Sequence, residues 1–165
     1  MVNPAVPSAD QDDHGQPGAD PGEHVPSDAQ RAASSVGRQL LVLNASSPSE
    51  IDAAFGKLRQ ERAGALFVSG DAFFTGRRQQ ILALAARDAI PAMYVNREYV
   101  ADGGLMSYGN SVADAYRRTG LVVGRVLKGE KPADLPVDQA TKFEFVINRK
   151  TAKTLGLEVP AKLLF

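Results

Sequence analysis

Cysteine is absent from all 165 residues, which excludes disulfides, thiol catalysis and cysteine metal sites. Histidine is nearly absent: His14 and His24 are the only two. Both stand in the first 38 residues, so Ser46 and Ser69 further along have no nearby base for a Ser-His-Asp triad. Net charge is also missing, with 19 acidic and 19 basic residues. Nothing here selects a nucleic acid or a membrane surface. No segment approaches the ~18 consecutive apolar residues of a spanning helix. The amino terminus has no basic region followed by an apolar run, so no secretion signal is read there. Neither GxGxxG after a strand nor GxxxxGKS/T occurs, so no nucleotide cofactor is expected. No catalytic residue, metal site or other cofactor is assigned.

Residues 1–38 differ from the rest. They hold five of the ten prolines, four glycines and six acidic residues. Almost nothing apolar lies between Pro7 and Gln30. Such a composition does not offset the entropy of ordering, so this segment is expected to be disordered or divergent. His14 and His24 share no metal-ligand spacing, and a solvated pair is the favoured reading.

From residue 39 onward the patterning is regular. Leu40 to Leu43 is a continuous apolar run, the pattern of a strand covered on both faces. Ser47-Pro48-Ser49-Glu50 reads as a capping box with proline at the first helical position. Ile51, Ala54, Phe55 and Leu58 then repeat at helical spacing, with Lys57, Arg59 and Glu61 facing water. Ala65 to Val68 reads as a strand. A helix capped by Thr75 follows to about Asp88, burying Ile81, Leu82, Leu84 and Ala85. Ala92 to Val95 and Leu105 to Tyr108 read as further strands. A long helix capped by Asn110 or Ser111 runs to about Lys128, turning Val112, Tyr116, Val123, Val126 and Leu127 inward. Phe143 to Ile147 is the last strand, and Lys150 to Leu155 a short helix stopped by Gly156. Strands alternating with helices make a three-layer α/β/α fold with a mainly parallel sheet.

Open α/β sheets bind ligands outside the carboxyl ends of their strands. The polar residues that fall there are Asn44, Asp71, Asn96, Arg97 and Glu98. Asp71 can receive an ammonium or hydroxyl, or it can satisfy the amides of its own turn. Phe73 and Phe74 can pack against a ligand or dock onto the neighbouring helix. Arg97 can clamp a carboxylate with two hydrogen bonds, or pair locally with Glu98 or Asp102. Tyr108 stands beside Gly109 at a helix start, where backbone amides favour anions; a buried tyrosine above a capped helix is the alternative. Asp71 and Glu98 as an acid–base pair have nothing nearby to raise a pKa.

The runs NASSPSEIDAAF, AGALFVSGDAFF, IPAMYVNREYVADGGLMSYG and LKGEKPADLPVDQATKFEFVIN resemble the carboxy-terminal half of bacterial ABC-transporter substrate-binding proteins. The subfamily they resemble includes tryptophan/phenylalanine-type binders. The resemblance covers about Arg38 to Leu164, and EYVADGGLMSYG and the last run are its specific parts. It implies a type I periplasmic binding protein fold, whose two α/β lobes close on a ligand. It also implies that Asp71, Arg97, Glu98 and Tyr108 line or flank that cleft. Residues 39–165 then form the second lobe, with a returning helix and final strand.

The implied function is capture of a small polar or amino-acid-like solute for an ABC permease, without catalysis. The place would be the periplasm or another extracytoplasmic space by resemblance, and the cytoplasm for the sequence as it stands. Met1 to Pro4 resembles the end of the second lobe's first strand, and Ala32-Ala33 with Gly37 to Gln39 the end of the helix after it. The residues between do not, so a truncated gene with a locally shifted reading frame, or a wrongly delimited gene, is expected. The long helix belongs with the first lobe in this family, which implies an exposed apolar strip and self-association. Alternatives are a sensory or response-regulator-like interaction module, or an inert fragment. Asn44 stands where a phosphoacceptor module needs an acid, which favours the binder.

Overall fold

The computed structural model describes residues 27–136 and 142–163. The expected disorder of residues 1–26 lies outside these. The remainder of that segment holds a helix, α1 (Ser27–Ser35), whose described side chains are exposed apart from half-buried Ala33. A 3.6-residue repeat of alanine and polar residues suffices for a local helix, but it buries little.

Next comes α2 (Pro48–Gln60). Ser47 caps it, accepting from the Glu50 amide at 3.3 Å. The Glu50 carboxylate reaches one residue further back than a standard capping box, to the Ser46 amide at 2.7 Å and its hydroxyl at 2.9 Å. Ile51, Ala54, Phe55 and Leu58 are buried, as the spacing predicts. Leu40 to Leu43, by contrast, is not a strand. Leu40 and Leu41 are exposed, and only Leu43 packs against the core. An apolar run marks burial but becomes a strand only through a ladder of hydrogen bonds.

Three short parallel strands follow in sequence order: β1 (Leu66–Val68), β2 (Ala92–Tyr94) and β3 (Met106–Asn110). β4 (Phe143–Ile147) pairs antiparallel with β3, so the open sheet runs β1-β2-β3-β4. Between β1 and β2 the expected single helix is two, α3 (Ala72–Gly76) and α4 (Arg78–Arg87). Asp71, not Thr75, is the cap: its carboxylate accepts from the Phe73 amide at 2.7 Å, so the helix begins four residues early. α5 (Arg97–Ala101) occupies what reads as a loop in the sequence, and α7 (Arg149–Thr154) follows β4.

Right-handed crossovers between parallel strands laid down in one direction put their helices on one face. Accordingly α2, α4 and α5 share one core with Leu66, Val68, Ala92 and Tyr94. Tyr94 stacks on Tyr99 of α5 at 4.4 Å between centroids. The long helix α6 (Val112–Leu127) behaves differently. Ser111 caps it as expected, but none of its residues is buried, and the five side chains expected inward are exposed. Amphipathic spacing specifies a face but not the element that covers it.

Asp88 fastens α4 to α2. It accepts two bonds from Arg87, at 2.7 and 2.8 Å, and lies 3.5 Å from Arg59 of α2. The Arg87 bonds hold its carboxyl below the usual range. The unfolded chain therefore binds this proton more tightly. The stability it contributes is complete at neutral pH and is lost as pH falls through the carboxylate range. Thermal melts should hold steady from neutral pH to about pH 4 and then decline. Asp88→Asn should lower the neutral midpoint and flatten that decline; an unchanged acid slope would show that Asp88 does not couple the two helices.

Candidate ligand-binding edge

The loops after β1, β2 and β3 emerge along one edge of the sheet, where parallel order directs them. Thr75 ties the first two together. Its hydroxyl donates to the Asp71 carbonyl at 2.8 Å and accepts from the Asn96 side-chain amide at 3.3 Å. Gly70 lets these loops approach, since a Cβ there would sit 3.3 Å from Val95 Cγ1. Asp71 is half-buried and spends one carboxylate oxygen on its helix cap. A solute reaching this edge meets a carboxylate already oriented by the backbone.

Arg97 stands next along the edge with 61% of its side chain exposed. Its guanidinium donates to Glu144 at 3.0 Å, rather than to Glu98 or Asp102. Asp102 instead accepts from Arg78 at 2.6 Å. A hydrogen bond from Ser111, together with Arg97 alongside, holds the Glu144 carboxyl below its usual range. Glu144 is thus an anion that occupies the Arg97 guanidinium. Sequence reading missed it, although its signal is present: in FEFVI, an acid stands between two phenylalanines in a strand of period two.

The remaining candidates are spread more widely. Phe74 is fully buried in the core and Phe73 packs against it, ring to ring at 5.6 Å. Docking is therefore the role visible for this pair. Asn44 is an exposed bridge residue ahead of α2, and Glu98 is exposed on the first turn of α5. Tyr108 is half exposed and lies opposite Phe145. Glu144 lies opposite Gly109. Because neighbouring strand residues point to opposite faces, Tyr108 and the Arg97–Glu144 pair belong to different faces of the sheet. Asp71, Asn96 and Arg97 are the candidates that converge.

Buried Tyr99 supports the edge from below. Burial pushes its phenol up, and the hydroxyl has no hydrogen-bond partner among the described residues. No metal-holding group of His, Asp or Glu occurs among the described residues. No described helix is long and apolar enough to cross a membrane.

The family model of ABC transporter substrate binding proteins matches residues 27–165. No curated protein gives a significant match. Among solved structures, one is an ABC domain in complex with L-Trp from Streptococcus pneumonia, at 26% identity and TM-score 0.75. The match covers 84% of this chain and 46% of that one. A conserved domain protein from Vibrio cholerae O1 biovar El Tor aligns over the same shares at 22% identity and TM-score 0.75. A ligand-free, open substrate-binding protein with adhesive properties from Clostridium difficile aligns at 22% identity and TM-score 0.57, over 85% of this chain and 49% of that one. The two at 22% speak to the fold alone. The chain spans about half the length of these structures.

Proposed function

The chain belongs to the family of ABC transporter substrate binding proteins, and we propose that its Asp71–Asn96–Arg97 edge is one wall of a site for an amino-acid-like solute. The role is capture for an ABC importer in an extracytoplasmic space. The observation that carries this is the convergence of two strand-end loops through Thr75, with Arg97 alongside. It sets an acceptor for an ammonium group and a donor for a carboxylate on the same edge. The L-Trp held by the streptococcal neighbour is a solute of this chemistry.

An open edge leaves much of a bound solute in water, whereas tight sites bury about 70–90% of their ligand. Binding by this chain is therefore expected in the millimolar range, near −4 kcal/mol. Glu144 competes with the solute carboxylate for Arg97. In an NMR titration with L-tryptophan and an amino-acid panel, the amides of Asp71, Asn96 and Arg97 should shift together. Glu144→Gln should tighten binding and Arg97→Ala weaken it, each by about 0.2–1 kcal/mol, the scale of exposed ion pairs. Titration of a solvent-exposed α1 amide serves as the control. No shift at the edge with any amino acid would sink the assignment.

A further inference from the structure

Glu144 has two partners on different elements. Its carboxylate accepts from Arg97 at the start of α5 and from the buried hydroxyl of Ser111. The strand register accounts for the second contact. Glu144 lies opposite Gly109 and Phe143 opposite Asn110, and the ladder continues with the Ser111 amide bonded to the Lys142 carbonyl at 3.0 Å. Alternation puts Gly109, Ser111, Lys142 and Glu144 on one face, with Glu144 diagonal to Ser111. Gly109 has no side chain to stand between them, and a Cβ on it would meet the Val95 carbonyl. The loop that leads into Arg97 therefore lies beside Glu144.

Ser111 is also the cap of α6, where its hydroxyl accepts from the Asp114 amide at 3.5 Å. One carboxylate thus joins the guanidinium of the binding edge to the first turn of the long helix.

The two ends are unequally held. Arg97 gives Glu144 one hydrogen bond, from an exposed side chain. Arg87 gives Asp88 two, and Arg125 gives Glu130 three. A singly bonded, water-exposed ion pair contributes little, whereas a free carboxylate can take a guanidinium with two parallel bonds. The Ser111 end is buried. Lys142 and the N-terminus of α6, on that side, both favour negative charge. The Asp114 carboxylate there is already paired with Arg117.

We propose that Glu144 is a switch worked by the solute's carboxylate: that group takes Arg97, and the released Glu144 shifts its charge onto Ser111 and the start of α6. The switch rests on the reading of the Asp71–Asn96–Arg97 edge as a solute site. Glu144 is then a positioning residue, the solute carboxylate is the trigger, and the first turn of α6 responds. A solute without a carboxylate fills the edge but leaves the Arg97–Glu144 pair closed.

L-Tryptophan and L-tryptophan amide, which lacks the carboxylate, separate these parts. In NMR titrations both should shift the Asp71 and Asn96 amides, but only L-tryptophan should shift those of Ser111 and Asp114. It should also raise the pH midpoint of the Glu144 carboxyl, which loses a cation and gains a like charge as neighbour. Arg97→Ala should reproduce both effects with no solute present. In Glu144→Gln, L-tryptophan should still shift the edge, while the Ser111 and Asp114 response falls to that given by the amide. A merely structural Glu144 would not depend on the solute's carboxylate in this way. Edge shifts from L-tryptophan with still Ser111 and Asp114 amides would overturn the switch and leave the site standing. A silent edge would remove the site and its trigger together. Unmoved Ser111 and Asp114 amides in Arg97→Ala would remove the link to α6, whatever the solute does.

Discussion

Gly109→Ala is expected to destabilise the fold by about 3 kcal/mol or more, beyond the usual range for overpacking. A Cβ at this position overlaps the carbonyl oxygen of Val95, and falls 2.9 Å from Val95 Cγ1 and 3.1 Å from the Val95 carbonyl carbon. A flexible side chain can turn away from such a clash, but a backbone carbonyl cannot. To admit a methyl group, β3 must separate from the end of β2, and that end carries Asn96 and Arg97. The variant should therefore also lose the concerted amide shifts at the binding edge. Gly56→Ala is the control. Gly56 lies inside α2 with nothing within 4 Å of a Cβ, so alanine there should stabilise by about 0.4–1 kcal/mol through the unfolded chain. Urea unfolding of the two variants measures both. A loss under 1 kcal/mol at Gly109 would show that the strand ends are not held this close.

What could be read from the sequence follows from which interactions are local. The Ser47–Glu50 cap and the Ile51, Ala54, Phe55, Leu58 face lie within one helix, and both are seen. The strand Phe143–Ile147 was bounded to the residue. Errors arose where a distant partner decides. Leu40 to Leu43 has the composition of a strand but no ladder in the described sheet. Val112, Tyr116, Val123, Val126 and Leu127 have the spacing of a buried face, yet all five are exposed among the described residues. The start of α3 at Asp71 rather than Thr75 was a choice between two capping side chains four residues apart, and either satisfies the local rule. The convergence of Asp71 with Asn96 depends on Thr75, which the sequence presents as a cap rather than as a link between loops. Glu144 stands out locally in FEFVI, but it is 47 residues from Arg97, so no local pattern names its partner.

Phe55→Ala should be the costliest of the side-chain truncations, at about 3–5 kcal/mol. That is a large part of the ~5–15 kcal/mol by which such domains are stable. Phe55 has no exposed surface, and it belongs to the cluster that joins α2 and α4 to β1 and β2. With Ile51, Phe74, Ile81 and Tyr94, it puts the large, fully buried side chains on one side of the sheet. The other side should then contribute little within a single chain. Phe145 keeps 41% of its surface in water, so Phe145→Ala should cost about 1–2 kcal/mol by area removed. The comparison belongs at low protein concentration, where association adds nothing to the apparent stability. A several-fold difference between the two truncations means that the sheet is sealed on one face and open on the other. Equal losses would mean that the Tyr108–Phe143–Phe145 face is already buried within the chain.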